Sequence, residues 1–207
     1  MNDGNGRAWG EVKAGLRPST VVATGALAMA LGPVLDRIVA GGMLSWDAWL
    51  AGLLLVGIGL VMCTPHAWAS PMVTLAGLVF MAQAATLAVA LLGVATAARG
   101  YQMLAVPKVL ALGLLAVTER RQHGRHRQRW LVAAGLLAAV KIVWRVLDPD
   151  LPWLDAADLV VNLTVATALW IFARGLRRRE DEWARRRLAE VSASFEDFDP
   201  DRARRAG

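Results

Sequence analysis

Apolar residues are collected into six long runs along this chain, and short polar stretches separate the runs. Most of the runs are near the length of about 17–25 residues that a helix needs to cross roughly 30 Å of hydrocarbon. They cover residues 19–35, 49–62, 71–98, 101–118, 130–147 and 156–173. The pattern therefore predicts an all-α integral membrane protein built as a bundle of about six transmembrane helices.

The stretch 119–130 sets the expected orientation of these spans. It contains five arginines between two apolar runs, and an Arg-rich loop of this length normally stays on the cytoplasmic side. About 18 of the 23 Lys and Arg residues lie in this stretch and in the two terminal tails. We therefore predict a cytoplasmic N-terminal tail (1–18), a transmembrane domain (19–174) and a cytoplasmic charged tail (175–207). The expected location is the plasma membrane, specifically the inner membrane of a bacterium.

Two features of the early spans leave alternatives open. The sequence 28–30 resembles a signal-peptidase site, but the apolar run continues to Leu35, which favours a retained first helix over a cleaved one. Gly32 and Pro33 should end or kink that helix, because proline removes an N–H donor. The second span carries three glycines, at positions 52, 57 and 59, which indicate close helix packing or, alternatively, a permeation path.

Composition narrows the chemistry. The chain has 207 residues, 56% of them hydrophobic, with a mean hydropathy of +0.42 and a formal charge of +6. The placement of the charge favours an anionic membrane surface over nucleic acid. Cys63 is the only cysteine, so no intramolecular disulfide is possible, and two of the three histidines lie in the basic stretch. No metal, cofactor or nucleic acid is therefore expected, and the absence of hydrolase, metalloprotease and phosphate-loop motifs argues against an enzyme.

Ionisable residues inside the spans are the candidate site, because a charge in hydrocarbon is costly unless it has a partner or a function. The candidate substrate or anion-binding residues are Lys108, Lys141, Arg145, Asn162 and Gln83. Lys108 and Lys141 should lie at similar depth in the outer half of the bundle. In one interpretation Lys108 extends its head group outward. In the other, both lysines and Arg145 line an outward-facing anionic site.

The last two spans should form a hairpin, because the connection between them is short and rich in proline and aspartate. In this hairpin Arg145 should face Asp158 as a structural ion pair, and Lys141 should face Asn162. Gln83 lies deep in the third span, where an amide usually hydrogen-bonds a neighbouring helix, although a substrate contact is an alternative.

The charged tail predicts an amphipathic cytoplasmic helix, with acids four residues before arginines and one apolar stripe. It is either a solvated extension of the sixth span or a helix that binds the anionic inner leaflet or a partner. The candidate lipid- or partner-binding residues are Arg177, Arg178, Arg179, Arg185, Arg186, Arg187, Leu188 and Phe195. The expected function is a non-catalytic accessory, assembly or scaffolding subunit of a membrane complex. The alternative is a small transporter or channel for an anionic solute.

Overall fold

The computed structural model of the protein describes residues 16–38, 44–66, 69–91, 105–122, 124–147 and 154–196, and all regular structure in them is α-helical. Six helices follow one another along the chain. They are α1 (Pro18–Ile38), α2 (Leu44–Val61), α3 (Pro71–Leu91), α4 (Ala105–Arg121), α5 (Arg125–Leu147) and α6 (Leu154–Glu196). The all-helical class predicted from the hydrophobic runs is confirmed.

The six helices form a closed ring. Each helix packs against the one before it and the one after it, and α6 returns to pack against α1. Successive helices run in opposite directions, so every second connection lies at the same end of the ring. We call the end that holds the start of α1 and the α4–α5 connection the basic end. The opposite end, where α2, α4 and α6 begin, is called the lysine end because it holds Lys108.

Large apolar side chains fill the middle of the ring. Met29 of α1, Phe80 of α3 and Phe172 of α6 are fully buried, as are Leu112 and Leu115 of α4. They belong to one continuous cluster to which all six helices contribute. Close packing of this kind brings dispersion contacts that lipid alone does not replace, and it fixes how the helices sit beside each other.

Glycines let α2 approach both of its neighbours closely. A Cβ on Gly25 of α1 would lie 2.7 Å from the carbonyl oxygen of Gly52, and a Cβ on Gly77 of α3 would lie 2.8 Å from that of Gly57. Real side chains essentially never come so near a backbone atom. The packing role predicted for Gly52, Gly57 and Gly59 is therefore confirmed, since Gly59 also lies against α1.

Three helical segments are long and apolar enough to cross a membrane: Pro71–Val89, Arg125–Leu147 and Leu159–Glu190. Two apolar segments are shorter within the described residues, Pro18–Gly32 and Ala48–Val61. α4 is shorter still in its apolar part, because Lys108 lies near its start and Glu119 near its end. These helices are consistent with a membrane protein.

The connection between the fourth and fifth spans is shorter than the sequence predicts. The basic stretch is not an extended loop: α4 continues to Arg121 and α5 begins at Arg125. Arg and Gln are good helix formers, so the charged residues extend both helices and leave only a short turn. α6 runs without a break from Leu154 to Glu196, so the charged tail is helical and continues the sixth span, as one of its two interpretations expects.

Gly32 and Pro33 do not end the first helix either, because α1 runs on to Ile38. A proline inside a membrane helix is tolerated when neighbouring helices and local adjustment satisfy the freed backbone groups. Parts of other predicted segments, such as 92–98 and 101–104, lie outside the described residues.

Candidate functional site

Lys108 lies inside the ring at the lysine end. Its side chain belongs to α4 and is only 8% exposed. The Nζ atom donates a hydrogen bond to Oδ1 of Asn162 on α6, over 3.4 Å, and lies 4.7 Å from the ring centroid of Trp49 on α2. Lys108 therefore connects two helices that are not neighbours of α4 in the ring, and its head group occupies the interior and does not extend outward.

The described surroundings of Lys108 occupy only part of its hydrogen-bonding capacity. An ammonium group has three donors, and one amide oxygen at 3.4 Å takes one of them weakly. The face of Trp49 adds a cation–π attraction, which is stronger where water is excluded. Among the side chains that the structure describes, no carboxylate forms an ion pair with Lys108. An arrangement of this kind can bind an anion.

The structure brings together two of the five predicted anion-site residues, Lys108 and Asn162. Gln83 is 5% exposed on α3, and its Oε1 has no hydrogen-bond partner within the described part of the chain. Lys141 and Arg145 are half-buried on α5 and both make contacts of their own. Asn162 accepts its hydrogen bond from Lys108, and the predicted facing pair of Lys141 and Asn162 stays a prediction.

The predicted ion pair between Arg145 and Asp158 stays a prediction. Asp158 lies on α6, but its side chain is outside the described residues.

At the basic end, a carboxylate is buried between two arginines. Glu119, near the end of α4, is fully buried. Arg127 of α5 donates a hydrogen bond from Nε to Oε2 of Glu119 over 2.7 Å, and Arg179 of α6 donates from its guanidinium to Oε1. Three consecutive helices of the ring are therefore joined at one carboxyl group. Charge-assisted hydrogen bonds at a buried site are among the stronger polar interactions in proteins.

Two glycines make room for this arrangement. A Cβ on Gly124 would collide with the Glu119 carboxylate, and a Cβ on Gly175 would lie 2.7 Å from Cδ and Nε of Arg127. The backbone N–H of Gly124 also donates to the carbonyl oxygen of Glu119 over 2.8 Å, which closes α4. Gly175 marks the start of the charged tail in the sequence, but its role is to admit the Arg127 side chain next to α6.

A second carboxylate closes the ring between α6 and α1. Glu180 accepts hydrogen bonds from the backbone N–H of Ser19 over 2.9 Å and from the Ser19 hydroxyl over 2.6 Å. An acid beside the first turn of a helix is favourable because the first N–H groups have no partner within the helix. An exposed ion pair of 2.7 Å between Arg17 and Asp181 lies one residue further along α6.

The connection between α2 and α3 also meets α6 at the basic end. Cys63 is fully buried, and its thiol donates weakly to the carbonyl oxygen of Gly59 over 3.5 Å. Burial, with a smaller contribution from nearby Glu180, raises the pKa of the Cys63 thiol to about 12, and Arg179 opposes the shift. His66 contacts the ring of Trp183 edge-on, with 5.5 Å between centroids.

The predicted lipid- or partner-binding residues of the tail divide into two groups. Arg177 and Arg178 are exposed, as are Arg185, Arg186 and Leu188, the last with 70% of its surface accessible. Arg179 instead points inward to Glu119. Arg187 is exposed and lies over the Trp183 ring, and the Phe195 side chain is outside the described residues.

Sequence reasoning missed the role of Glu119. The signal was present, since Glu119 is the only acid among the five arginines of the 119–130 stretch. A single acid in a basic segment is a candidate to form ion pairs with several arginines at once. The stretch was interpreted as a solvated loop, however, and a loop gives no reason to bury a carboxylate.

The two ends of α4 therefore carry different kinds of polar site. At the basic end both oxygens of a buried carboxylate accept hydrogen bonds from arginines, and at the lysine end a buried ammonium has one weak acceptor within the described part of the chain. No protein-family model matches the chain, and comparison with curated proteins and with solved structures gives no match either.

Proposed function

We propose that this protein is a non-catalytic integral membrane protein that serves as an accessory, assembly or scaffolding subunit of a larger membrane complex. The observation that carries the proposal is the continuity of α6. This helix has 43 residues, so it is roughly 65 Å long at about 1.5 Å per residue. The hydrocarbon layer is only about 30 Å thick, so a large part of α6 extends beyond it.

The extension of α6 supports a role in binding another subunit and not in catalysis. Its first part, around Arg179 and Glu180, is fixed to the bundle by the Glu119 and Ser19 contacts. Beyond Trp183 the described side chains are exposed, from Ala184 to Glu190. A helix held firmly at its base, with an exposed face that includes Leu188, suits docking of another subunit outside the bilayer.

Purification of the full chain in mild detergent, with identification of the proteins that co-purify, tests this proposal. We expect a stable partner set that is lost when Leu188→Glu and Arg186→Glu are combined on the exposed face. A matched control, Leu136→Gln on α5, should keep the partner set. A chain that purifies alone from its native membrane would contradict the proposal.

The orientation that accompanies this function has six spans, with both termini cytoplasmic in a bacterial inner membrane. Its support is that the N-terminal end of α1, the α4–α5 turn and the arginines of α6 share the basic end. Positive charge gathered at one end is typical of the cytoplasmic side. Reporter fusions at Pro152 and Gly207 should indicate opposite sides, and signals from the same side would contradict this topology.

The second candidate is a small transporter or channel for an anionic solute, and the Lys108 site favours it. A buried ammonium with one weak amide acceptor can accept an anion that enters the bundle. Here we expect a monodisperse protein whose melting temperature rises with added anion. Lys108→Met should abolish that rise, whereas Arg178→Met, which removes an exposed charge, should not.

A further inference from the structure

A groove of about 770 Å³ lies between α4 and α5 at the basic end, on the outside of the ring. Its size is in the range of ordinary small-molecule sites. The lining residues are Arg120 of α4 and Arg125, Gln128, Arg129, Val132, Ala133 and Leu136 of α5.

The residues from α5 occupy one face of that helix. They recur at intervals of three and four positions from Arg125 to Leu136, which is the period that places side chains one above another. The first turns of this face are basic and the next are apolar. Arg127 belongs to the opposite face, where it binds Glu119. The groove is therefore amphipathic along its length, with a cationic mouth and a hydrocarbon-like wall.

The charge in the mouth of the groove is not neutralised within the described part of the chain. Glu119, the nearest acid in sequence, is fully buried and has both oxygens bound by Arg127 and Arg179. Arg120, Arg125 and Arg129 are exposed, and no described acid pairs with any of them. Three guanidinium groups around one concave site suit an anion with several acceptor oxygens.

We propose that this groove binds an anionic phospholipid of the leaflet at the basic end. The phosphate lies among Arg120, Arg125 and Arg129, and one acyl chain lies along Val132, Ala133 and Leu136. From Arg129 to Leu136 the helix rises by roughly 10 Å, which carries a bound chain from the head-group level into the hydrocarbon. Guanidinium groups match phosphate oxygens in pairs, and the apolar wall selects a lipid over a free phosphate. This site is independent of the proposed partner role of α6.

The test uses the full chain in zwitterionic detergent, with lipid binding measured by native mass spectrometry and thermal shift. Phosphatidylglycerol is compared with phosphatidylcholine and with glycerol phosphate. We expect phosphatidylglycerol alone to bind and stabilise. Arg125→Gln with Arg129→Gln should weaken its binding about 30-fold, since each arginine near a lipid surface contributes a factor of about five. The control pair, Arg121→Gln with Arg174→Gln, removes the same charge from exposed positions outside the groove and should leave binding unchanged.

A second pair of variants examines the apolar wall. Leu136→Gln should weaken binding of the lipid without a change in charge, whereas Leu137→Gln, one position away and outside the groove, should not. Both side chains are exposed, so neither change should prevent folding. Equal losses in the two arginine pairs, equal stabilisation by glycerol phosphate, or indifference to Leu136→Gln would each overturn the proposal.

Discussion

Glu119 and Lys108 are both buried charges on α4, one at each end of the helix. Glu119 is fully buried and accepts hydrogen bonds from two arginines, one on α5 and one on α6. Lys108 is buried almost as well, but its described polar contact is one long hydrogen bond to an amide, beside a tryptophan ring. A buried charge whose partners are complete stabilises a particular packing. A buried charge with spare donors adds little to stability and can be retained for binding.

The contrast predicts a large loss of stability when Glu119 is neutralised. Glu119→Gln leaves Arg127 and Arg179 facing each other with no carboxylate between them, and breaking a buried ion pair costs about 3–5 kcal/mol. The free energy of unfolding in mixed micelles should fall by about that amount. Glu182→Gln, an exposed acid on the same end of α6, should change it by less than about 0.5 kcal/mol.

A loss below about 1 kcal/mol for Glu119→Gln would mean that this site contributes no more than a surface ion pair does. The contrast drawn between Glu119 and Lys108 would then be wrong.

Cys63 reports whether the basic end is closed. Its thiol must ionise to react, and a pKa near 12 in place of 9.0 lowers the thiolate fraction at pH 8 about a thousandfold. Because the folded-state pKa is raised, protection is complete below pH 9 and is lost as the pH rises toward 12. We expect maleimide labelling to be slow at pH 8 and to increase about tenfold per pH unit.

The control for this measurement is Cys63→Ala with Thr64→Cys, which moves the thiol to the exposed neighbouring position. That variant should label quickly. In the Glu119→Gln background Cys63 should label faster, whereas Lys108→Met should leave its labelling slow. Fast labelling of Cys63 in the unmodified protein would show that the basic end is open.

Ser19→Ala tests the second closure of the basic end, between α6 and α1. The change removes the hydroxyl donor to Glu180 but keeps the backbone N–H donor. A hydrogen bond to a charged group contributes about 1.5–3 kcal/mol, and the remaining N–H contact should keep the loss near 1.5 kcal/mol. Thr20→Ala, at the exposed next position, is the control for helix propensity. Equal losses in the two variants would mean that Glu180 does not hold α1.

The helices could be predicted from the sequence much better than these polar contacts. Long apolar runs identify membrane-type helices because one physical requirement acts on every residue: in hydrocarbon the backbone polar groups must be hydrogen-bonded within the chain. The ends of the helices depended on the charged residues. The loop predicted at 119–130 was wrong, whereas the helix predicted in the charged tail is present as part of α6. Arg125 and Arg127 extend α5 because helix propensity and the Glu119 contact act together.

The site was predicted in part, for an equally physical reason. Lys108 stood out because a lysine inside an apolar run is costly wherever it faces. Its pairing with Asn162 depends on how α4 and α6 sit in the ring, and sequence spacing relates only residues on the same helix or hairpin. Glu119 pairs with Arg179, and Ser19 with Glu180, across long separations in the chain, so no local pattern could join them.

Lys108→Met sharpens the comparison from the other end of α4. Methionine keeps the length and apolar stem of the side chain while removing the charge. The variant loses the cation–π contact and the weak hydrogen bond, but it also avoids the desolvation of an ammonium group. The free energy of unfolding should therefore change by no more than about 1 kcal/mol. Denaturation in mixed micelles measures this. A loss of about 3 kcal/mol would show that Lys108 has a complete set of partners, as Glu119 has, and would remove the case for an anion site.

The smallest effect on stability is expected for the exposed ion pair of Arg17 and Asp181, which lies beside the contact of Ser19 with Glu180. Their side chains are 56% and 44% exposed, so water and salt screen the attraction even at 2.7 Å. A double-mutant cycle with Arg17→Ala and Asp181→Ala should give a coupling energy of about 0.2–1 kcal/mol, which added salt should reduce further. A coupling above about 2 kcal/mol that persists in salt would mean that this pair is shielded from water. Exposed ion pairs such as Arg17–Asp181 would then contribute much of the stability of the basic end. Burial of Glu119 would no longer explain why changes at Glu119 cost more stability than changes at Lys108.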